Sequence, residues 1–370
     1  MASTMTYRLY LRPTAFVETP FGFDGQAVRL AGGPNWFSAV ELIVRKGATR
    51  MSQALVPIAD LERHLASLDP ALRAAGDVAM RRITGSRAPL ALADRTLHLD
   101  RPHILGILNV TPDSFSGDGQ AGVESATAAN RGLAMGEAGA TIIDVGGEST
   151  RPGATTIWDG DEIARIVPVI ERLAGADMIL SVDTRKAAVM AAALDAGAHM
   201  INDVSALTYD PLSIETIAMR GCPVVLMHHQ GDPATMQTDP RYDDVLLDVY
   251  DWLEARIDAV AAAGIARDRI IVDPGIGFGK TLRHNLQLLN GLALFHGLGC
   301  PVLLGASRKR LIGALSQEAP VDRRLGGSLT LALHAVQQGA QFIRVHDVAE
   351  SAQAIRIWRG LRDEALTPRV

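Results

Sequence analysis

The sequence predicts an α/β protein in which a (β/α)8 barrel follows an N-terminal accessory α/β extension. Short apolar segments alternate with alanine-rich helical segments from about residue 95 to residue 370. A glycine and an alanine recur just before several of those apolar segments, and a polar residue recurs just after them. Eight such units over about 275 residues fit the usual size of a (β/α)8 barrel.

The composition is that of an ordinary globular protein. The chain has 370 residues, of which 48% are hydrophobic and 21% are charged, and its formal net charge is -5. This balance argues against a nucleic-acid-binding protein, which usually carries a basic excess. Neither a signal peptide nor an apolar stretch of membrane-spanning length is evident, so we expect a cytoplasmic protein without a membrane partner. Cys222 and Cys300 lack metal-ligand spacing and are interpreted as buried, reduced thiols.

Residues 1–94 differ from the rest of the chain and contain no recognisable chemical motif. We interpret them as an accessory extension whose role the sequence does not indicate, joined to the catalytic part at 95–370 by a linker over Gly85–Asp94. The patterns predict two strands and two helices in the extension. These are strands at Tyr7–Arg12 and Val40–Arg45 and helices at Ile58–Leu68 and Pro70–Ile83.

The barrel strands are predicted from runs rich in valine, isoleucine and leucine. The first is His103–Leu108, which we expect to pair in a hairpin with Thr96–Leu99. The others are Thr141–Val145, Met178–Val182, His199–Ile201, Val224–Met227, Ile270–Val272, Val302–Leu304 and Phe342–Val345.

A weak internal repeat supports this count of strands. Gly139, Gly197 and Gly339 each precede an alanine and the start of a predicted strand. Glycine at that place suits the left-handed residue that ends a helix. An open doubly wound sheet is the structural alternative, but no Gly-x-Gly-x-x-Gly pattern follows the first strand, so a dinucleotide site is not indicated.

In a (β/α)8 barrel the active site lies at the carboxyl ends of the strands. In this chain every one of those ends is polar. The residues in order are Asn109, Asp144, Asp183, Asn202 with Asp203, His228, Asp273, Ser307 with Arg308 and Lys309, and Arg344 with His346.

The chemistry of these residues suggests two halves of one site. Asp183, Asn202 and Asp273 offer carboxylates and an amide, which suit the donor-rich edge of a nitrogen heterocycle. Positive charge and hydrogen-bond donors from another group suit a phosphate or pyrophosphate, with Mg²⁺ as a further candidate. That second group is Asn109, Arg151, Arg344, His346 and the backbone around Ser149-Thr150.

Several of these residues also have an ordinary structural interpretation. Asp183 could cap the following helix, and Asp144 could be a structural carboxylate within the barrel mouth. His228 and His229 resemble a metal pair, yet neighbouring residues of a strand point to opposite faces. Lys280 follows a glycine-rich turn, but Pro274 breaks the phosphate-loop pattern, so we predict a solvated helix start there.

Seven motifs, in register over about residues 97–358, resemble those of dihydropteroate synthase. They are Gly106-Ile-Leu-Asn-Val-Thr-Pro-Asp-Ser-Phe-Ser116, Ile143-Asp-Val-Gly-Gly-Glu-Ser-Thr-Arg-Pro-Gly153, Ser181-Val-Asp-Thr184, Ile201-Asn-Asp203, Asp273-Pro-Gly-Ile-Gly-Phe-Gly-Lys280, Ser307-Arg-Lys309 and Arg344-Val-His-Asp347. The resemblance implies a (β/α)8 barrel that joins 6-hydroxymethyl-7,8-dihydropterin pyrophosphate to p-aminobenzoate and releases pyrophosphate.

The resemblance also implies a role for individual residues. It places the pterin against Asp183, Asn202, Met227, Asp273, Lys309 and Arg344. It places p-aminobenzoate against Thr150, Arg151, Pro152, Phe278 and Ser307, and pyrophosphate against Asn109, Thr150, Arg151, Arg344 and His346. The catalytic residues would then be Asn109, Asp183, Lys309, Arg344 and His346, and Asn109 would bind Mg²⁺.

The implied mechanism is dissociative: pyrophosphate leaves before the arylamine attacks the pterin methylene carbon. The implied assembly is a homodimer. Three departures from the family pattern are the segment Ser116-Gly-Asp-Gly119, His229 in place of methionine, and Ile276 in place of an aromatic residue. The alternatives are a pterin-dependent methyltransferase barrel, which has no pyrophosphate to bind, and a non-catalytic pterin-binding or scaffold barrel.

Overall fold

A computed structural model of the chain describes residues 6–110, 121–148, 156–231 and 235–368. The strands are β1 (Tyr7–Val17), β2 (Val28–Arg29), β3 (Trp36–Lys46), β4 (Thr49–Pro57), β5 (Leu90–Leu92), β6 (Arg95–Leu97), β7 (His103–Asn109), β8 (Ile142–Gly146), β9 (Leu180–Asp183), β10 (Met200–Asp203), β11 (Val224–Met227), β12 (Ile270–Asp273), β13 (Leu303–Leu304) and β14 (Phe342–Val345). The helices are α1 (Ile58–Ala66), α2 (Pro70–Thr84), α3 (Ala121–Ala138), α4 (Asp159–Gly175), α5 (Ala187–Asp195), α6 (Ser213–Arg220), α7 (Val245–Ala262), α8 (Leu282–Asn290), α9 (Arg310–Leu315), α10 (Leu325–Gln337) and α11 (Val348–Ala365).

Eight parallel strands form a nearly closed barrel with helices between them. Their order is β12-β11-β10-β9-β8-β7-β14-β13. A parallel bridge from Val272 to Val302, just before β13, joins the two ends of that order. The predicted (β/α)8 barrel is therefore confirmed, and the open doubly wound sheet is wrong. Each of its predicted strands lies within two residues of an observed strand at both ends.

The recurring glycines occupy the helix-to-strand joints as predicted. Gly139, Gly197 and Gly339 have φ angles of +116°, +107° and +86°. An L-residue with a side chain rarely adopts this left-handed backbone, which glycine adopts without strain.

The N-terminal extension is a two-layer α/β unit. Strand β3 pairs antiparallel with β1 along one edge and with β2 and β4 along the other. Because side chains alternate along a strand, Leu9, Leu11 and Leu42 face one side of this sheet and pack with α1 and α2. On the opposite side, Tyr10 and Ile43 join the core of the barrel.

The segment before the first barrel strand differs from the prediction. Strand β6 pairs antiparallel with β5 rather than with β7, so the expected hairpin of Thr96–Leu99 with His103–Leu108 is wrong. The predicted linker Gly85–Asp94 therefore contains a strand. Leu90, Leu92 and Leu97 pack with the inward residues at the amino ends of the barrel strands. This hairpin thus closes the bottom of the barrel, and burying its leucines there compensates for its short pairing.

Cys222 and Cys300 are free and buried, as predicted. Within the described ranges, no helix is both long enough and apolar enough to cross a membrane.

Candidate active site

The period of two along each barrel strand places polar side chains directly above an apolar layer. The lower layer of inward residues comprises Leu105, Ile142, Met200, Val225, Ile271, Leu303 and Phe342. The residues two positions further along are Ile107, Asp144, Asn202, Met227, Asp273, Gly305 and Arg344. Four of these seven residues are polar, and their layer marks the floor of the mouth: Asp144, Asn202, Asp273 and Arg344.

Arg344 lies at the centre of this floor between two buried acids. Its Nε atom donates to Asp144 Oδ2 at 2.6 Å, and its Nη2 atom donates to Asp183 Oδ2 at 2.7 Å. Burial alone would lower the pKa of Arg344, but Asp144 and Asp183 outweigh burial and raise the pKa above its usual range. The guanidinium therefore stays charged and fixes both carboxylates.

Asn202 extends this arrangement to the next strand. Its Nδ2 atom donates to Asp144 Oδ2 at 3.1 Å. Asn202 is also the register partner of Asp183 in the pairing of β10 with β9. From the sequence alone, Asp144 could be either a group of the site or a structural carboxylate. The structure shows that it holds both Asn202 and Arg344 in place.

Two carboxylate oxygens on this floor have no hydrogen-bond donor within the described residues. They are Asp144 Oδ1 and Asp183 Oδ1, and both are buried. An unpaired buried acceptor is costly unless a ligand supplies its donor. Burial, together with the nearby charge of Asp144, outweighs Arg344 and raises the pKa of Asp183 to about 7. The floor is therefore suited to a flat ligand that presents several N–H donors.

Asp273 and Lys309 form the adjacent side of the mouth. A Cβ atom placed on Gly305 would lie 3.8 Å from Asp273 Oδ2 and 3.7 Å from Arg344 Cβ, which brings Asp273 beside the central arginine. Met227 pairs in register with Asp273. Burial lowers the pKa of Lys309 to about 8, against the opposing charge of Asp273.

Lys309 also joins this half of the site to the loop after β12. Its Nζ atom donates to the carbonyl oxygen of Ile276 and lies 4.5 Å from the centre of the Phe278 ring. Phe278 is half-buried. The loop's own backbone is held by Asn285 of α8, whose Oδ1 accepts from Gly277 N at 2.7 Å. Asn285 was not singled out in the sequence, because its role depends on a loop that folds back onto a later helix.

Lys280 corrects a prediction. It is only 3% exposed, so a solvated helix start is wrong. Its Nζ atom lies 2.9 Å from His228 Nδ1, and it donates to the carbonyl oxygens of Phe278 at 2.9 Å and His228 at 3.3 Å. The helix instead begins at Leu282 with a capping box at Thr281. Lys280 thus fastens the loop after β12 to the end of β11.

His228 points away from the mouth, as the alternation along the strand requires. Its ring lies edge-on to Trp252 of α7, with 5.0 Å between ring centres. His229 Nδ1 instead donates to the carbonyl oxygen of Gly231, 3.0 Å away. No group of three or more histidine, cysteine, aspartate or glutamate side chains that could hold a metal occurs among the residues that the structure describes.

Ser307 and His346 meet at the carboxyl ends of β13 and β14. Ser307 Oγ accepts from the backbone N–H of His346 at 3.1 Å and lies 3.1 Å from His346 Nδ1. Ser307 is buried and His346 is half-buried. The serine therefore orients the imidazole of His346, which the sequence predicts to lie in the phosphate-binding half of the site.

Asn109 ends β7, and Gly146 of β8 lies between it and Asp183 of β9. A Cβ atom placed on Gly146 would lie 3.7 Å from Asn109 Oδ1 and 3.6 Å from Asp183 Cβ. Thr150, Arg151 and Pro152 lie outside the described residues, as does the segment 116–119.

A buried ion cluster at the end of β8 was missed in the sequence. Lys186 Nζ lies 2.7 Å from Glu148 Oε2 and 2.8 Å from Glu162 Oε2, and it donates to Ile157 O at 2.6 Å. Glu148 also accepts from Ile157 N at 3.1 Å. The cluster thus ties residue 148 to residue 157. The charged pair Arg185-Lys186 directly after the Asp183 motif is the only signal that pointed to it.

The family described as pterin binding enzyme matches residues 105–346. The chain is 48% identical over 263 residues to the dihydropteroate synthase of Escherichia coli strain K12, a match that covers 71% of this chain and 92% of that one.

Two solved structures of the Xanthomonas albilineans dihydropteroate synthase resemble the fold. One, with 4-aminobenzoic acid, has a TM-score of 0.70 and 46% identity and covers 75% of this chain and 99% of that chain. The other, in complex with 7,8-dihydropteroate, has a TM-score of 0.67 and 44% identity and covers 74% of this chain and 98% of that chain. About a quarter of this chain therefore has no counterpart in them, and the N-terminal extension precedes the matched family segment.

Proposed function

This chain belongs to the dihydropteroate synthases within the pterin binding enzyme family, and from that membership we propose how its barrel mouth performs the reaction. The reaction condenses 6-hydroxymethyl-7,8-dihydropterin pyrophosphate with p-aminobenzoate to give 7,8-dihydropteroate and pyrophosphate. The enzyme is a transferase. The bond from the pterin methylene carbon to the pyrophosphate oxygen breaks, a carbon–nitrogen bond forms, and the arylamine loses a proton.

The observation that carries the assignment of the pterin pocket is the pair of unpaired acceptors, Asp144 Oδ1 and Asp183 Oδ1. A pterin presents an amino group and ring N–H groups along one edge, and these donors would satisfy both oxygens. Asn202 and Asp273 add acceptors beside them. Met227, which is 4% exposed, supplies an apolar surface for the ring. The floor of the mouth is therefore assigned to the pterin.

The p-aminobenzoate site is assigned to the rim next to this floor. Phe278 supplies an aromatic wall, and Ser307 and Lys309 supply a hydroxyl and a cation at its ends. Thr150, Arg151 and Pro152 complete this assignment by the family motif alone. Lys309 of the floor lies close to the Phe278 ring, and this short distance supports placing the arylamine next to the pterin methylene carbon. Two reactants bound side by side in this way react as if each were present at high concentration.

Pyrophosphate is assigned to the group of Asn109, Thr150, Arg151, Arg344 and His346. Departure of this polyanionic group with the electron pair of the carbon–oxygen bond, before attack by the arylamine, is the proposed order of bond changes. Arg344 remains charged between its acids, and Ser307 orients His346, so the chain's own cations stabilise the developing charge. No covalent bond to the protein is needed.

Mg²⁺ is proposed as the cofactor, with Asn109 as its protein ligand. Mg²⁺ is usually held by one or two side-chain oxygens together with substrate phosphates and water, so a single amide oxygen near the anion fits it. Asn109 Oδ1 lies on the Asp183 side of the mouth, next to Gly146. The ion would neutralise charge on the leaving pyrophosphate.

A homodimer and a cytoplasmic location are further proposals. Ile357 and Leu361 of α11 are 65% and 70% exposed and lie one turn apart, and this apolar surface supports self-association. Light scattering coupled to size-exclusion chromatography distinguishes a dimer from a monomer.

The reaction is tested by a coupled assay for pyrophosphate release. We expect release only when the pterin pyrophosphate, p-aminobenzoate and Mg²⁺ are all present, and formation of 7,8-dihydropteroate in equal amount. Pyrophosphate release without p-aminobenzoate at the same rate would contradict the condensation. Activity undiminished by a metal chelator would contradict the role of Mg²⁺ but not the reaction.

A further inference from the structure

One face of helix α7 carries a line of acids that the N-terminal extension covers. Asp244, Asp248, Asp251 and Glu254 are spaced by four, three and three residues, so they lie on one side of the helix. Like charges at these spacings repel each other and destabilise an isolated helix. We call this line the acidic stripe.

The extension presents a matching set of arginines. Arg8 and Arg45 stand directly opposite each other in the pairing of β1 with β3, where like charges are unfavourable. Each meets acids of the stripe: Arg8 lies 3.2 Å from Asp251, and Arg45 lies 3.6 Å from the same carboxylate. Arg8 also pairs with Glu254.

The remaining acids of the stripe are paired as well. Arg45 Nη2 donates to Asp248, Arg50 of β4 binds Asp244 through two nitrogen atoms, and Arg82 of α2 lies 3.2 Å from Glu254. Tyr10 OH donates to Asp251 at 2.9 Å. The arginines of the extension would repel one another, as would the acids of the stripe. The two sets of charges therefore neutralise each other where they meet.

Apolar contact completes the same interface. Tyr10 is 2% exposed, and its ring lies edge-on to that of Tyr250 on α7 with 5.4 Å between centres. Ile43 is fully buried beside it in the core of the barrel. The extension is thus a permanent part of the outer wall of the barrel at α7.

The interface reaches the active site through the first residues of α7. Asp244 is the N-cap of this helix and accepts from Leu247 N at 3.3 Å, while Arg50 holds its carboxylate from the other side. Two residues earlier, Tyr242 OH donates to the carbonyl oxygen of Gly279 at 2.8 Å. Gly279 lies between Phe278 and Lys280, in the loop after β12.

The ring of Tyr242 makes a second contact with the same part of the site. It lies edge-on to His284 at 5.0 Å between ring centres, and 6.0 Å from His228, which Lys280 contacts. The segment just before α7 therefore contacts the Phe278 loop through a hydrogen bond to Gly279, and its tyrosine ring packs on two histidine rings that flank this loop.

We propose that the extension positions the p-aminobenzoate wall, with Arg50, Asp244 and Tyr242 as positioning residues that act through Gly279 on Phe278. Arg50 fixes the start of α7, and Tyr242 transmits that position to the loop. None of the three is assigned to contact a substrate. The inference rests on the proposed role of Phe278 in binding p-aminobenzoate.

The test uses the full chain and four variants. Arg50→Glu places two acids against each other at Asp244, and the double variant Arg50→Glu/Asp244→Asn removes that repulsion while keeping an N-cap acceptor. Tyr242→Phe removes only the hydroxyl that reaches Gly279. Arg63→Glu is the matched control, because Arg63 is an exposed arginine of the extension that pairs only with Asp60 among the ion pairs of the described chain.

The expected result is a change in one Michaelis constant. Arg50→Glu raises KM for p-aminobenzoate about tenfold, since small displacements of a binding wall are costly. It leaves KM for the pterin pyrophosphate within about twofold. The double variant recovers part of the loss, Tyr242→Phe shows a smaller rise in the same constant, and Arg63→Glu behaves as the unmodified chain.

Other outcomes overturn the proposal. A lower melting temperature of Arg50→Glu with both KM values unchanged makes Arg50 a structural residue only. An equal rise in both KM values, without recovery in the double variant, indicates general distortion of the barrel. Absence of pyrophosphate release by the unmodified chain contradicts the proposed function itself, and is therefore distinguished before any variant is compared.

Discussion

Arg344 Nη2 lies 2.7 Å from Asp183 Oδ2, while the other oxygen of that carboxylate is buried without a donor from the described residues. One oxygen of Asp183 is thus held by the protein and the other is available to a ligand. Asp183 is therefore a fixed element of the floor, and a substitution there tests directly whether the floor binds a ligand.

The first prediction concerns Asp183→Asn. The amide keeps the shape of the side chain but removes its charge and presents an N–H group to Arg344 or to the pterin. We expect kcat/KM for the pterin pyrophosphate to fall on the order of 100-fold, because a buried donor or acceptor would be left unpaired. Titration calorimetry with a pterin should show the same loss. Asp258→Asn, at an exposed acid of α7 that pairs with Arg267, serves as the control and should bind normally.

The second prediction concerns the pH dependence of the reaction. Burial raises the pKa of Asp183 to about 7, so its carboxylate gains a proton below that pH and loses its acceptor role. Burial lowers the pKa of Lys309 to about 8, so its cation is lost above that pH. We expect kcat/KM for the pterin pyrophosphate to pass through a maximum between these values.

A variant at Lys309 tests whether this residue causes the decline of kcat/KM at high pH. Lys309→Arg replaces the ammonium group by a guanidinium that stays protonated. The decline of kcat/KM at high pH should therefore move upward by more than one pH unit. An unchanged alkaline decline in this variant would show that another group is responsible.

The third prediction concerns the stability of Arg344→Ala. Removing the arginine leaves Asp144 and Asp183 buried without a counter-charge, which costs about 3 kcal/mol of the free energy of unfolding at pH 8. The folded-state pKa of Asp183, which burial already raises, then lies further above the unfolded value, so stability is lost as the pH rises toward it. The deficit should therefore be smaller at pH 5. Urea unfolding at the two pH values measures it, and an equal deficit at both would contradict the charge argument.

The fourth prediction concerns Lys280→Met. Methionine keeps the length of the side chain but leaves the carbonyl oxygens of His228 and Phe278 without their donor, at a cost of about 2 kcal/mol. Burial lowers the pKa of Lys280 well below its usual value. Because the folded chain then binds this proton more weakly than the unfolded chain, the lysine contributes stability that rises with pH up to about 10.4. The deficit of the variant should grow over that window in thermal unfolding, whereas a pH-independent deficit would argue against a neutral amine.

Much of the barrel could be predicted because its signals are local. An apolar run such as Val224–Met227 indicates a buried strand by itself, and the glycine before β10 indicates the end of a helix. The inward direction of Asp183 and Arg344 follows from counting two residues along each strand. Their mutual contact joins positions 161 residues apart, and only the closed barrel brings them together.

The failures have a common physical cause. Lys280 looks solvated because its neighbours in the sequence are glycine and threonine, but its environment is made by His228, whose ring packs against Trp252 of α7. The β5–β6 hairpin was missed because its leucines are buried by the apolar residues at the lower end of the barrel rather than by each other. In both cases the deciding partner is distant in sequence, and no local pattern encodes it.

The leucine hairpin below the barrel also determines how molecules travel. Leu90, Leu92 and Leu97 fill the lower end, so in the part of the chain that the structure describes the polar floor is reached from the carboxyl ends of the strands. A molecule seated on the polar floor cannot leave past another molecule that covers it. If the pterin occupies the floor and p-aminobenzoate the rim, as proposed, the floor is filled first and the joined product leaves toward the rim.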